Sequence, residues 1–436
     1  MITNYNNPSD KRQYSPNWQR IKCGQLFEEI NHRSETGSEE LLSVSHITGI
    51  TPRTQKNVTM FQSESLIGYK LCRKGDIVAN TMWTWQGAIG VSDYDGVVSP
   101  AYNVYRQKGN HYDNRYLDFL LRENTLIDVY HSLSTGIRKS RLRLYPGQFF
   151  TIDLPVPPMD EQIKIVQYLD WQVSKINRLI RVEKKELELA KELLISTYHK
   201  TIHSSDSIRL KFAFSLVNDF IQIDKDQLYR KAGMYNRGRG IFLREPVEGT
   251  NMGKSTFQAI HQNCLMISGQ FAWEDAVYIT SSEDESGVVS HRYYLLTPKR
   301  HDIPVEYLFA HFISPEGFDE LVRCSHGAAG RNRPLNIEEL LRVKIPAPTD
   351  EDSVKRLVDS VRNYMKLQKN IAKKEALLHE YRNKIISDVV TGKINVRDID
   401  IPDYEYIEEE TDMEDDSESA ATARIPSAAT MTGCFP

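Results

Sequence analysis

The sequence is written twice, and that repeat limits what the chain can fold into more than any single motif does. Gly96-Val97-Val98-Ser99 returns as Gly287-Val288-Val289-Ser290, and Tyr102 returns as Tyr293. Tyr116-Leu117 matches Tyr307-Leu308, and Ser134-Thr135-Gly136 matches Ser325-His326-Gly327. Leu154-Pro155-Val156-Pro157 matches Ile345-Pro346-Ala347-Pro348, and every one of these pairs is separated by 191 positions. Chance similarity does not hold one register over so long a span. Upstream, Trp85 and Ala88 pair with Trp273 and Ala276 at an offset of 188. The slip falls in the longer polar turn Ser281 to Ser286 of the second copy, and turns tolerate insertions.

Each copy has the same anatomy. Short strand-like runs with turn residues come first, such as Gly87 to Val91 and Asp275 to Ile279. A Pro-rich boundary follows, at Pro155 to Pro158 and Pro346 to Pro348, which blocks continuous secondary structure. Then comes a long charged stretch without Gly or Pro, roughly residues 160–200 and 350–391. Apolar residues fall in a 4-3 rhythm at Leu169, Val173, Ile176, Ile180, Leu187, Ala190 and Leu194, and again at Tyr364, Leu367, Ile371, Leu378, Tyr381 and Ile385. This spacing predicts two long helices whose stripes face each other. Thr349 with Asp352 reads as the N-cap of the second helix, and Gly392 as its stop. The rhythm places one charged residue in each seam, Glu183 and Lys374, again 191 apart. If the helices pack antiparallel about a local two-fold, these two meet, and Leu169 lies near Ile385 or Val389. The fold class expected is α+β: two duplicated mixed α/β domains joined by two long helices packed as an antiparallel coiled coil, with pseudo-two-fold symmetry.

At 436 residues the chain is too long for one core, consistent with two domains. The net charge of −4 hides an asymmetry: Asp398 to Glu418 contains 12 acidic residues and no Lys or Arg. Residues 398–436 carry −11 and residues 1–397 carry +7, a mildly basic body with an acidic tail read as solvated and disordered. The five cysteines are scattered and odd in number, which fits reduced thiols better than disulfides or zinc. No apolar run approaches the roughly 20 residues of a membrane span, and the polar N-terminus lacks a secretory signal, so a cytoplasmic protein with no membrane partner is expected.

Catalytic signatures are missing. Gly249-Thr-Asn-Met-Gly253-Lys254-Ser255 has three residues between its glycines where a phosphate loop needs four. Glu183-Lys184-Lys185 has a nuclease-like form but lies in the predicted helix, and the twelve histidines show no metal-ligand spacing. No catalytic residue, bound cofactor or metal is expected on this chain.

Pro157-Pro158-Met159-Asp160-Glu161-Gln162, leading into Ile163, Ile165 and Leu169, resembles the helix entry of type I restriction-modification specificity subunits. Ile386 to Ile394 resembles that family's distal helix end, and Trp85-Gln86-Gly87-Ala88 through Val98-Ser99-Pro100 a strand pattern of its recognition domains. The likeness spans roughly residues 18–400; the second entry, Pro346 to Asp352, lacks the full motif. The resemblance implies a non-catalytic subunit with target-recognition domains at 1–158 and 204–348, spacer helices at 159–203 and 349–396, and a tail at 397–436. Each domain would read one half of a bipartite site in double-stranded DNA. The helices would set the spacer and dock two modification subunits, which methylate adenine with S-adenosylmethionine. The resemblance also leaves room for two restriction subunits, with ATP and Mg²⁺, joined through the same core.

Both copies carry a basic cluster between the Ser-x-Gly turn and the Pro boundary: Arg138, Lys139, Arg141 and Arg143 in the first, Arg331, Asn332 and Arg333 in the second. Arg pairs bidentately with guanine, Asn with adenine, and both hold phosphate. Arg237 and Arg239 in a Gly-rich segment, and Lys254, complete the expected DNA contacts. Trp83 and Trp85 would share one strand face, Trp85 and its match Trp273 reading as core. The competing reading is a duplicated coiled-coil scaffold that binds protein and no DNA.

Overall fold

The repeat in sequence is a repeat of strand pairing. The computed structural model describes residues 14–46, 48–55, 65–137, 141–327 and 333–408. In the first copy, Phe27–Glu29, Asn103–Gln107, Ile77–Ala79 and Ile89–Val91 lie side by side, in that order, as an antiparallel sheet. In the second, Phe214–Leu216, Tyr293–Pro298, Leu265–Ser268 and Val277–Ile279 do the same in the same order. The two-residue period of a strand then feeds two cores from one chain segment. Ile77 and Ala79 face one apolar cluster and Val78 another; Leu265 and Ile267 face one and Met266 another. The Gly-Val-Val runs form separate strands, Gly96–Val98 on Lys70–Cys72 and Gly287–Ser290 on Phe257–Ala259. A hairpin lies alongside each: Leu42–Ser45 with Gly49–Pro52, and Leu228–Met234 with Ile241–Leu243. Its parallel register is the same, Leu41 on Val97 and Lys231 on Val288.

The chain divides into two compact units. One runs through Arg181 and resumes at Leu377; the other is Val182–Ala376. Both long helices, Met159–Thr201 and Glu351–Val390, therefore contribute to both units. In the first unit Leu169, early in the first helix, shares a core with Ile385 and Val389, late in the second. In the other, Leu194 shares a core with Leu357, Val361 and Tyr364. The helices thus run antiparallel, and each of these side chains adds about 1.5–3 kcal/mol by leaving water. Lys374 Nζ meets Glu183 Oε1 at 2.6 Å, as the seam rhythm requires.

The Glu161-Gln162 motif has a structural reason. Gln162, fully buried, donates to the carbonyls of His111 (2.8 Å) and Pro157 (2.9 Å) and accepts from the Asp113 N–H (2.9 Å). Glu161 accepts from the Trp18 indole at 2.9 Å and pairs with Arg397 at 2.5 Å. The second helix starts differently from expectation: its cap is Asp350, which accepts from the Ser353 N–H at 2.8 Å, while the Thr349 N–H donates back to the Thr201 carbonyl at 2.8 Å. Gly392 does end that helix, with φ +74, and a Cβ there would strike Trp18.

The start of the acidic segment is not a solvated tail. Ile399 and Ile401 pack on the first unit's core, and the Ile407 N–H donates to Ser174 Oγ (3.0 Å) while its carbonyl accepts from Asn177 Nδ2 (2.8 Å). Isoleucines spaced among the acids anchor residues 397–408 along the first helix; Glu409 onward lies outside the described residues.

Candidate nucleic-acid interface

Each unit closes a loop against a tryptophan-bearing turn. In the first, a short 3-10 helix, Thr84–Gln86, ends at Gly87 in the left-handed region, and the Trp85 indole donates to the Met82 carbonyl at 2.8 Å. In the second, Ala272–Glu274 ends at Asp275, and Trp273 donates to the Gln270 carbonyl at 3.0 Å. The basic segments return to these turns in the same way. The Leu144 N–H donates to the Thr81 carbonyl, and the Leu335 N–H to the Gly269 carbonyl. Each segment is pinched by an isolated bridge, Thr135 with Arg143 and Ser325 with Leu335.

Of the expected contacts, Arg138, Lys139, Arg331 and Asn332 lie outside the described residues. Arg141 is exposed, and Arg143 is half-buried, with one guanidinium nitrogen lacking a partner among the described residues. Arg333 is exposed and lies over the Trp273 ring, 5.3 Å from its centre. Trp83 and Trp85 sit on the turn, not on a strand face. Trp83 is 42% exposed and stacks on Trp85, which is half-buried against His131. Trp273 is likewise half-buried rather than core.

Arg237 and Arg239 are exposed at the tip of the hairpin that ends at Met234 and resumes at Ile241. Their backbone docks on the tryptophan turn: the Arg237 N–H donates to the Glu274 carbonyl and the Gly238 N–H to the Asp275 carbonyl, both at 2.7 Å. The structure therefore gathers Arg237, Arg239 and Arg333 about one turn. It adds Arg292, which the sequence reading omitted: its carbonyl accepts from the Gly269 N–H, and its guanidinium reaches Gln270 at 3.4 Å. Arg292 arrives there through the pairing of Ser268 with Tyr293, and its counterpart in the first copy is Ala101, so no repeated signal marks it. Lys254 is exposed on a different turn, before Phe257–Ala259, with no hydrogen bond or ion pair to this cluster. Gly249 of the same near-motif packs so closely on the Asp224 carbonyl that a Cβ would overlap it.

Burial pushes the Cys72 thiol up to about 12 and those of Cys264 and Cys324 to about 11, so none is a thiolate at neutral pH. Among the described residues no cluster of His, Cys, Asp and Glu has metal-binding geometry, and no helix is long and apolar enough to cross a membrane.

No family model matches the sequence, and no curated protein matches it. Solved structures match in fold. A chain from work on complex assembly and conformational transition of the type I R-M system is 13% identical, with 87% of this chain and 99% of that chain covered at a TM-score of 0.54. The HsdS subunit from Thermoanaerobacter tengcongensis is 14% identical, covering 87% and 98% at 0.41. The type I restriction-modification S subunit from M. genitalium is 12% identical, covering 89% and 98% at 0.39. What the first of these shares with this chain is the fold, along nearly the whole of both chains.

Proposed function

We propose that this chain is the non-catalytic DNA-specificity subunit of a type I restriction-modification complex. Each recognition domain, 1–158 and 204–348, reads one half of a bipartite site. The long helices set the spacer and dock two modification subunits, which supply S-adenosylmethionine-dependent adenine methylation. Restriction subunits with ATP and Mg²⁺ join the same core. The observation that carries this reading is the repeated bridged loop, which in both units brings arginine beside a tryptophan turn. Arg141 and Arg143 serve the first half-site; Arg237, Arg239, Arg292 and Arg333 serve the second. The first of the long helices has 43 residues and is about 64 Å long. Val182, Leu189 and Leu193, all more than half exposed on the first helix, suit a partner-docking face.

Co-expression with the modification subunit, followed by sequencing of methylated adenines, tests the reading. A split motif with a constant gap is expected. A complex that assembles but leaves no motif would instead favour the protein-binding scaffold. In the assembled complex, log affinity for duplex DNA should fall with log salt by about 0.9 per phosphate neutralised. Arg333→Ala should weaken reading of one half-site and leave the other intact.

A further inference from the structure

The second unit's hairpin tip has six residues, Tyr235 to Gly240, where the first unit's has three, His46 to Thr48. The extra length does not hang free. Gln368, buried on the second long helix, donates from Nε2 to the Gly238 carbonyl at 2.6 Å. Lys191, on the first long helix, pairs with Asp275 Oδ2 at 3.2 Å. Asp275 in turn presents its own carbonyl to Gly238 and follows the Glu274 carbonyl that receives Arg237. Asn236 completes the clasp through a side-chain hydrogen bond to Glu274. The tip is thus held from both long helices at once, within one unit.

Asp275 is an unusual residue for its place. It has φ +59, and the equivalent position in the first unit is Gly87, φ +94. A residue with a side chain adopts the left-handed region less readily than Gly does. Among the described residues, one of its carboxylate oxygens is buried without a partner, as is Oε1 of Gln368. Burial pushes the Asp275 carboxyl above the usual range, against the opposing pull of Lys191. A residue that is strained and incompletely satisfied adds little to stability, so its value lies in what it holds. What it holds is a turn whose Arg237 is itself in the left-handed region, at φ +59.

We infer that Asp275 and Gln368 are positioning residues for base reading, fixing the Arg237-Gly238-Arg239 tip to the two long helices so that both arginines meet the second half-site in one geometry. This rests on the proposed DNA-reading role. Arginines on a loose tip would still attract phosphate, but bidentate base contacts need a fixed approach. Loss of the clasp should therefore reduce discrimination more than affinity.

The test uses the full chain assembled with its modification subunit. Its motif is first defined by adenine-methylation sequencing, then duplexes are used that carry single base changes in one half-site or the other. Asp275→Gly removes the ion pair with Lys191 while suiting the backbone, so folding is preserved; Gln368→Leu removes the other tie. Each should lower discrimination at the second half-site about tenfold, the scale of one lost base contact. Affinity for non-specific duplex, discrimination at the first half-site and the melting temperature should hold. Asp275→Asn, which tolerates the left-handed region but lacks the charge, should fall between wild type and Asp275→Gly. Unchanged second-half discrimination in both Asp275→Gly and Gln368→Leu overturns the inference while leaving the DNA-reading role standing. A uniform loss at both half-sites also overturns it, because the effect would then be global. A wild-type complex with no motif removes the premise itself.

Discussion

In the first unit the entering helix is locked by Gln162, fully buried with three hydrogen bonds, whereas in the second the entering helix is capped by the exposed Asp350. At the helix that leaves each unit the assignment is reversed. The second unit buries a chain of polar groups there: Tyr198 Oη lies 2.7 Å from His311 Nδ1, and His311 Nε2 lies 2.8 Å from Glu320. An imidazole protonated on Nε2 satisfies all three, accepting from the tyrosine and donating to the carboxylate. The equivalent positions in the first unit, 191 away, are Val389, Leu120 and Val129, and all three belong to or pack against its apolar core. One backbone frame thus accepts a buried polar lock at either end, provided every donor and acceptor in it is matched. The frame is set by strand order and helix packing, and the locks are local additions to it.

The largest effect is expected at His311. His311→Leu removes the imidazole that joins the Tyr198 hydroxyl to Glu320 Oε2, and should cost about 3 kcal/mol or more in local stability. Amide exchange in Val305–Ile313 and Pro315–Arg323 reads that loss without assuming that the whole chain unfolds in one step. The triple change Tyr198→Phe, His311→Leu and Glu320→Val makes all three positions apolar, as they are in the first unit, and should cost less than half as much. If the triple variant is as damaged as the single, the polar chain is not an interchangeable lock. Next in size, Gln162→Leu leaves three neutral backbone groups unpaired and should cost about 2 kcal/mol, seen as faster exchange in the first unit alone. Faster exchange throughout the chain would contradict separate locks.

The smallest effect is expected at Asp350→Ala. The backbone N–H of Ser353, followed by the side chains of Ser353 and Thr349, holds the Asp350 carboxyl below its usual value. A carboxyl with a depressed folded pKa stabilises above its unfolded pKa, near ~3.9, and loses that contribution as pH falls through the folded value. Wild type and Asp350→Ala should therefore differ in melting temperature at neutral pH and converge in strong acid. A gap that persists in strong acid would place the cap's benefit in something other than the carboxylate.

The helices, their direction and the Glu183–Lys374 pair were legible because periodicity and a fixed offset are properties of the sequence itself. The loop clusters were legible as composition, but their assembly was not. Arg292 reaches the tryptophan turn only through strand pairing, and Arg237 only through a hairpin docked on residues distant in sequence. The packed stretch 397–408 was obscured because its few isoleucines sit in a run of acids, where composition argues for solvation. Asp350 displaced Thr349 as cap because the Thr349 N–H was committed to the end of the other helix.

The division of the chain also bears on how it is made. The second unit is one continuous segment, Val182–Ala376, but the first needs both ends: Leu169 must find Ile385 and Val389, more than 200 residues later. During vectorial synthesis the first unit cannot be completed until residues 377–390 have left the ribosome, whereas every residue of the second unit precedes them. Contacts of such sequence separation form slowly and leave apolar surface waiting. The first unit is therefore the later of the two to have all its residues available, and a nascent chain that has emerged only to residue 376 holds every residue of the second unit but lacks part of the first.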